Sequence, residues 1–152
     1  MPAEIVFDQG LGDLFVIRVA GNIVAPSQVG SVEFAAARYG TRLVVVLGHS
    51  QCGAILATIE ELRMPSERQS PNLHAIVDRV RPSVEGLLAR AAGQDTERVV
   101  AQAVRANIRA SVQHLRHGSP VLEQLIRDEG VVVVGAEYSL ETGVVDFFEG
   151  AS

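Results

Sequence analysis

The chain has 152 residues, 47% hydrophobic and 20% charged, which suits one domain with a real core and rules against intrinsic disorder. A formal net charge of −5 and an aromatic content of 5%, without tryptophan, argue against a nucleic-acid surface, which needs a basic stripe and stacking rings. No apolar run reaches transmembrane length and no signal peptide opens the chain, so no membrane partner is expected. A lone cysteine excludes an internal disulfide, which fits a cytoplasmic protein.

Residues 1–152 read as a single domain without repeats or low-complexity tracts. Met1 to Gln9 predicts one or two helical turns, with Pro2 at a first helical position. Ile5, Val6 and Phe7 are apolar together, so this start is expected to pack on something rather than fray. Gly10 and Gly12 make a turn. Leu14 to Ala20 is a strand candidate interrupted by Arg18, and Gly21 and Asn22 end it. Ser27 to Tyr39 reads as a helix capped by Ser27 and stopped by Gly40, with Val29, Val32, Ala36 and Tyr39 on one stripe.

Leu43 to Leu47 is a Val-rich apolar run that meets Gly48, the pattern of a buried parallel strand. Cys52 to Arg63 reads as the helix that follows, with Ile55, Leu56, Ile59 and Leu62 on one face. The loop between them lies at the carboxyl end of a strand, where open α/β sheets place their ligands. It carries His49 and Cys52, and an imidazole and a thiolate two residues apart can both reach one zinc ion. On spacing alone the pair reads equally as a packed thiol beside a polar loop histidine.

Asn72 to Ala92 keeps helical periodicity, and Pro82 is expected to kink or split it. Asp95 to Arg116 is the longest clean helix, with Val99, Val100, Val104, Ile108, Val112 and Leu115 inward. Ser119 and Pro120 open a short helix that Gly130 closes. Val131 to Gly135 is a second buried strand. Tyr138 to Phe148 predicts a hairpin around Glu141-Thr142-Gly143 whose last strand runs antiparallel at an edge. The fold class is therefore α/β, a mainly parallel sheet flanked by helices, with strands near 14–20, 43–48, 131–136 and 144–149.

Three stretches, Phe7 to Ile23, Val44 to Ala54 (VVVLGHSQCGA) and Val131 to Phe147, make the chain resemble a β-class carbonic anhydrase. The resemblance runs along essentially the whole chain in the family's order. It implies reversible hydration of carbon dioxide to bicarbonate at a Zn2+ ion held by two cysteines and one histidine. It makes His49 and Cys52 two of those three ligands, offers the Gly53 amide to bound bicarbonate, and places Phe15 and Ala20 on the carbon dioxide pocket. For Phe15 and Ala20, ordinary strand core is an equal reading. The resemblance also implies a homodimer or higher oligomer, and family members with the same ligands handle carbonyl sulfide or carbon disulfide.

In that family the second zinc cysteine belongs to a Cys-x-Asp-x-Arg motif at the end of the first sheet strand. That strand lies between the two that match Leu14–Ala20 and Leu43–Leu47. Only Met1 precedes the matching segment here, so the chain is expected to lack the first strand and to carry an incomplete metal set. Asp8, Asp13, His74, His114 and His117 are the remaining donors, with a loop carboxylate or a solvated helix face as their ordinary reading. Three functional readings follow. The chain is a shortened carbonic anhydrase, weakly active or inactive as written. Or it is a non-catalytic carbonic-anhydrase-like subunit or binding protein that has lost its metal site. Or it shares a site with a partner chain that supplies the missing ligands.

Overall fold

The computed structural model describes residues 1–151. A short helix α1 (Ala3–Val6) and an irregular stretch lead to a 3-10 turn at Ala20–Asn22. Then follow α2 (Pro26–Arg38), strand β1 (Leu43–His49), α3 (Gly53–Arg63), α4 (Pro71–Arg90), α5 (Thr96–His117), α6 (Pro120–Glu129), β2 (Val132–Tyr138) and β3 (Val145–Glu149). The strands form one mixed sheet in the order β1-β2-β3, with β1 parallel to β2 and β3 antiparallel at the edge.

Helix α5 is the spine. Its inward stripe, Val99, Val104, Ile108, Val112 and Leu115, is almost completely buried. It packs on β1 and β2 on one side and on α3, α4 and α6 on the other. Residues of alternate parity on a strand share a face. Val44, Val46 and Gly48 of β1 therefore join Val133, Gly135 and Glu137 of β2 under α5, as the register pairs them. Two of those six positions are glycine because Ile108 occupies the space. A Cβ on Gly48 would lie 2.6 Å from Ile108 Cδ1, and one on Gly135 would lie 2.8 Å from Ile108 Cγ2.

The helix signals act largely as expected. Asp95 caps α5 through the Glu97 amide, Ser119 caps α6 through the Leu122 amide at 3.1 Å, and Gly130 ends α6 with φ 71°. Two details differ. Helix α2 starts one residue earlier than expected, with Ala25 as its cap and Pro26 at the first helical position, so Ser27 lies inside and donates to Gln28 instead. Pro82 does not split α4, which runs unbroken from Pro71 to Arg90. Val77, Val80 and Val84 are buried on both sides of the proline, and that packing holds the helix across the lost hydrogen bond.

The larger correction concerns Leu14–Ala20, which is not a strand. Residues 15–19 have no regular structure, and among the described residues no backbone hydrogen bond joins Leu14–Val19 to the rest of the chain. The reason is the sheet's end. β1 is its terminal strand, and among the described residues no strand pairs with its outer margin. A β-type sequence becomes a strand only when a neighbour accepts its backbone groups.

The contact of Ile108 with the two glycines predicts that Gly48→Ala destabilises the chain by about 1–3 kcal/mol through overpacking. Ile108→Val, which removes the methyl nearest Gly48, should recover part of that loss in the double variant. Urea unfolding of the two single variants and the double variant measures the coupling. Additive costs would show that the two sites do not meet.

Candidate metal centre

His49 ends β1 and Cys52 caps α3, so the strand end and the helix start fix both residues. The loop between them is held by the end of the neighbouring strand β2. The Ser50 amide donates to the Tyr138 carbonyl at 3.0 Å, and Ser50 Oγ accepts from the Leu140 amide at 2.9 Å. Gln51 takes a left-handed backbone, φ 55°, in the tight turn between the two residues.

The imidazole of His49 is oriented by its own loop. Nδ1 lies 2.8 Å from the Ser50 carbonyl oxygen. A carbonyl only accepts, so Nδ1 carries the proton and Nε2 keeps its lone pair, the arrangement a metal-ligating histidine needs. Cys52 is a free, buried cysteine whose side chain makes no capping hydrogen bond, and it stands at the positive end of the α3 dipole. Both residues line one cleft, together with Phe15 and Ala20. Gly53 begins α3 beside this cleft but is not among its lining residues. Phe15 and Ala20 are exposed rather than core, and the Phe15 ring meets Phe34 and Tyr39 at centroid distances of 6.4 and 6.1 Å.

The donor set stops at two. Among the described residues no three side chains of His, Cys, Asp or Glu stand close enough to hold one metal ion. The other candidates are engaged elsewhere. Asp13 accepts the Gly10 amide in a turn at 2.8 Å, and His74 lies against Gln69 and Asp78. His114 and His117 sit in the last turn of α5, where cations suit the helix dipole. Asp8 occupies a left-handed turn, φ 51°. The residues present therefore fit half of a zinc set, an imidazole with Nε2 free to ligate and a buried thiol, and the described residues supply no third ligand.

Sequence reasoning missed the residues that moor the cleft's far wall. Asn107 Nδ2 of α5 donates to the Gly21 carbonyl at 2.7 Å, and Ser111 Oγ donates to the Asn22 carbonyl at 2.7 Å. Both are buried polar groups four residues apart in an otherwise apolar stripe, and that break in the stripe is the signal that marks them. The third member is Asn22 itself, whose buried Nδ2 has no hydrogen-bond partner among the described residues. At the same end of the sheet Arg105 bridges Glu137 at 2.7 Å and Asp146 at 2.6 Å and lies over the Phe148 ring. Burial works against its charge, but the hydrogen bonds to Asp146 and Glu137 outweigh it and raise its pKa above the ordinary arginine value.

The sequence matches the family model described as carbonic anhydrase over residues 1–145. It is 38% identical over 144 residues to a carbonic anhydrase of Mycolicibacterium smegmatis, covering 95% of this chain and 67% of that protein. It is 36% identical over 144 residues to carbonic anhydrase 2 of Mycobacterium tuberculosis, covering 93% of this chain and 65% of that one. The chain thus spans about two thirds of the length of these curated relatives. Among solved structures, the β-carbonic anhydrase CcaA superposes with a TM-score of 0.86 at 23% identity, over 100% of this chain and 73% of that one. A tetrameric β-carbonic anhydrase of Sordaria macrospora gives 0.84 at 21% identity, over 97% and 74%. At such identities these two speak for the fold alone. On the family match, the identity to the mycobacterial enzymes and the shared architecture, the chain belongs to the carbonic anhydrase family and has the β-class fold.

Proposed function

We propose that this chain contributes His49 and Cys52 to a zinc site that hydrates carbon dioxide reversibly to bicarbonate, and that the site needs ligands from further polypeptide to work. The observation that carries the reading is the state of the two residues. His49 offers Nε2 and Cys52 its thiol to one cleft at the carboxyl end of β1, in a chain of the carbonic anhydrase family. Zinc, when bound, supplies a Lewis acid that brings the pKa of a water towards neutrality.

The chain's own residues do the rest. The Ser50 carbonyl holds the His49 proton on Nδ1 and so keeps the ring aimed. The start of α3 holds Cys52 at the cleft and leaves the Gly53 amide free to donate to an anion such as bicarbonate. The wall from Leu14 to Ala20, apolar apart from Arg18, offers an approach for carbon dioxide, with Phe15 near one end and Ala20 at the other.

Two ligands hold zinc weakly, because catalytic zinc takes three protein ligands plus water. The purified 152-residue chain is expected to retain zinc well below one ion per chain after dialysis, and to hydrate carbon dioxide little above the uncatalysed rate. Fusing a strand that ends in Cys-x-Asp-x-Arg ahead of Met1 should raise both, and Cys52→Ser should abolish the gain. Metal analysis and stopped-flow hydration read the two quantities. Stoichiometric zinc with Cys52-dependent turnover in the unextended chain would show that the site is complete without further ligands. Zinc without turnover in the extended chain would favour a non-catalytic role.

The reading includes self-association in a cytoplasmic setting. Ile5, Leu11, Phe34 and Tyr39 are exposed apolar side chains, and the aromatic ones cluster with Phe15. Light scattering at roughly tens of micromolar, where exposed apolar surface associates, should find dimers or larger species. A monodisperse monomer there would count against an oligomer built from this chain alone.

A further inference from the structure

The imidazole of His49 is oriented by Ser50, and Ser50 is in turn held by a distant part of the chain. Each polar atom of Ser50 has one partner. Its amide donates to the Tyr138 carbonyl at 3.0 Å, its carbonyl oxygen lies 2.8 Å from His49 Nδ1, and its Oγ accepts from the Leu140 amide at 2.9 Å. Tyr138 ends β2, and Leu140 opens the turn that leads into β3. That turn is braced by its own bonds. The Gly143 amide donates to the Ser139 carbonyl at 2.9 Å, the Thr142 amide to Ser139 Oγ at 3.2 Å, and the Ser139 amide to the Val144 carbonyl at 2.9 Å. Among the described residues the Leu140 amide has no partner but Ser50 Oγ.

We infer that Ser50 is a positioning residue for His49: its hydroxyl ties the loop to the β2–β3 hairpin, holds the Ser50 carbonyl against Nδ1 and so keeps Nε2 open, on the reading that His49 is a zinc ligand. The need for such a tie lies in Gln51. Ser50 and Gln51 form a turn in which Ser50 keeps a negative φ and Gln51 has a positive one, 55°. Those signs belong to a type II turn, which differs from type I by turning over the peptide between the two central residues. Type II favours glycine or asparagine at the second position, and Gln51 is neither. An unrestrained loop would relax by turning that peptide over, and the Ser50 carbonyl would then leave the imidazole. A disfavoured backbone of this kind persists only where its surroundings over-determine it. The bond to Tyr138 is one restraint, and any residue except proline can make it. The bond to Leu140 is the other, and it needs a side-chain oxygen at position 50.

Neither Ser50 nor Leu140 lines the cleft, so the pair acts on the imidazole only through the loop. The hydrogen bond at one ring nitrogen sets which nitrogen carries the proton. An imidazole with no fixed acceptor at Nδ1 is protonated mainly on Nε2, which closes that nitrogen to a metal. The hairpin turn, 90 residues from the loop in sequence, is therefore part of what keeps His49 ready to ligate.

The test reads the imidazole directly. The purified chain carries isotope-labelled histidine at about pH 9, well above the ordinary histidine range. Long-range proton–nitrogen correlation separates the two neutral tautomers, and His49→Gln assigns the His49 signals among the 4 histidines. The wild-type ring should be protonated on Nδ1. Ser50→Ala should lower the ratio of the Nδ1–H to the Nε2–H form by about fivefold or more, the size of one ordinary hydrogen bond. Ser50→Thr, which keeps the hydroxyl, should restore it. Leu140→Pro deletes the donor at a turn position that suits proline and should match Ser50→Ala. The variant with both changes should go no further than either alone, because both remove the same bond. A hydroxyl that served stability alone would lower the urea midpoint and leave the tautomer ratio where it was. If Leu140→Pro disturbs the hairpin, hydrogen exchange at the Leu140 amide decides: it should quicken in Ser50→Ala and not in Ser50→Thr.

An unchanged ratio in Ser50→Ala, additive effects in the double variant, or equal exchange at Leu140 in Ser50→Ala and wild type would each overturn the positioning role and leave the zinc site standing. A wild-type ring protonated on Nε2 would overturn both. Absence of zinc and turnover in the chain extended with a Cys-x-Asp-x-Arg strand would sink the hydration proposal alone, since the tautomer is read without metal or carbon dioxide.

Discussion

The approach of α5 to the sheet governs everything at the functional end of the molecule. Ile108 reaches the plane of β1 and β2 only because residues 48 and 135 carry no side chain. That closeness places Asn107 and Ser111, its neighbours on the helix, within reach of the Ala20–Asn22 turn. The turn in turn packs on the start of α3, where a Cβ on Gly21 would come within 3.0 Å of the Ala54 Cβ. Cys52 caps helix α3. One close helix-to-sheet contact thus sets the geometry of strand end, turn and helix start, and with them the His49–Cys52 pair. A bulkier sheet face would lift α5 and release all three.

Much of this architecture was legible in the sequence, and the physical reasons are plain. The Val-rich runs at 43–47 and 131–135 are buried or half-buried except at Leu43 and Val132, and so lack polar interruption. The α5 stripe is legible because the helix buries one face and leaves the other in solvent. Asp95, Ser119 and Gly130 are local signals whose effect depends on a few neighbouring residues only. The positions of His49 at a strand end and Cys52 at a helix start were legible for the same reason.

What was not legible is non-local. Leu14–Ala20 has strand composition, and its failure to form one depends on the absence of a neighbour, which no window of its own sequence records. Ser27 has good capping chemistry, but Pro26 is better still as a first helical residue, so the helix begins ahead of the serine. Pro82 looks like a break, yet the buried valines on either side hold α4 together. The mooring by Asn107 and Ser111 spans more than eighty residues. Only the oddity of two buried polar side chains in an apolar stripe hints at it.

The two edges of the sheet differ in what lies against them. β3 is short, carries Asp146 and Glu149, and is tied down by Arg105 and Arg109 and by the contact of Phe147 with Phe7. Such an edge repels further pairing. β1 is longer, and the Leu14–Val24 segment of the same chain lies across a cleft from its outer margin. The two margins of the sheet are thus shielded by different means, one by charged side chains held in ion pairs, the other by a wall of the chain itself.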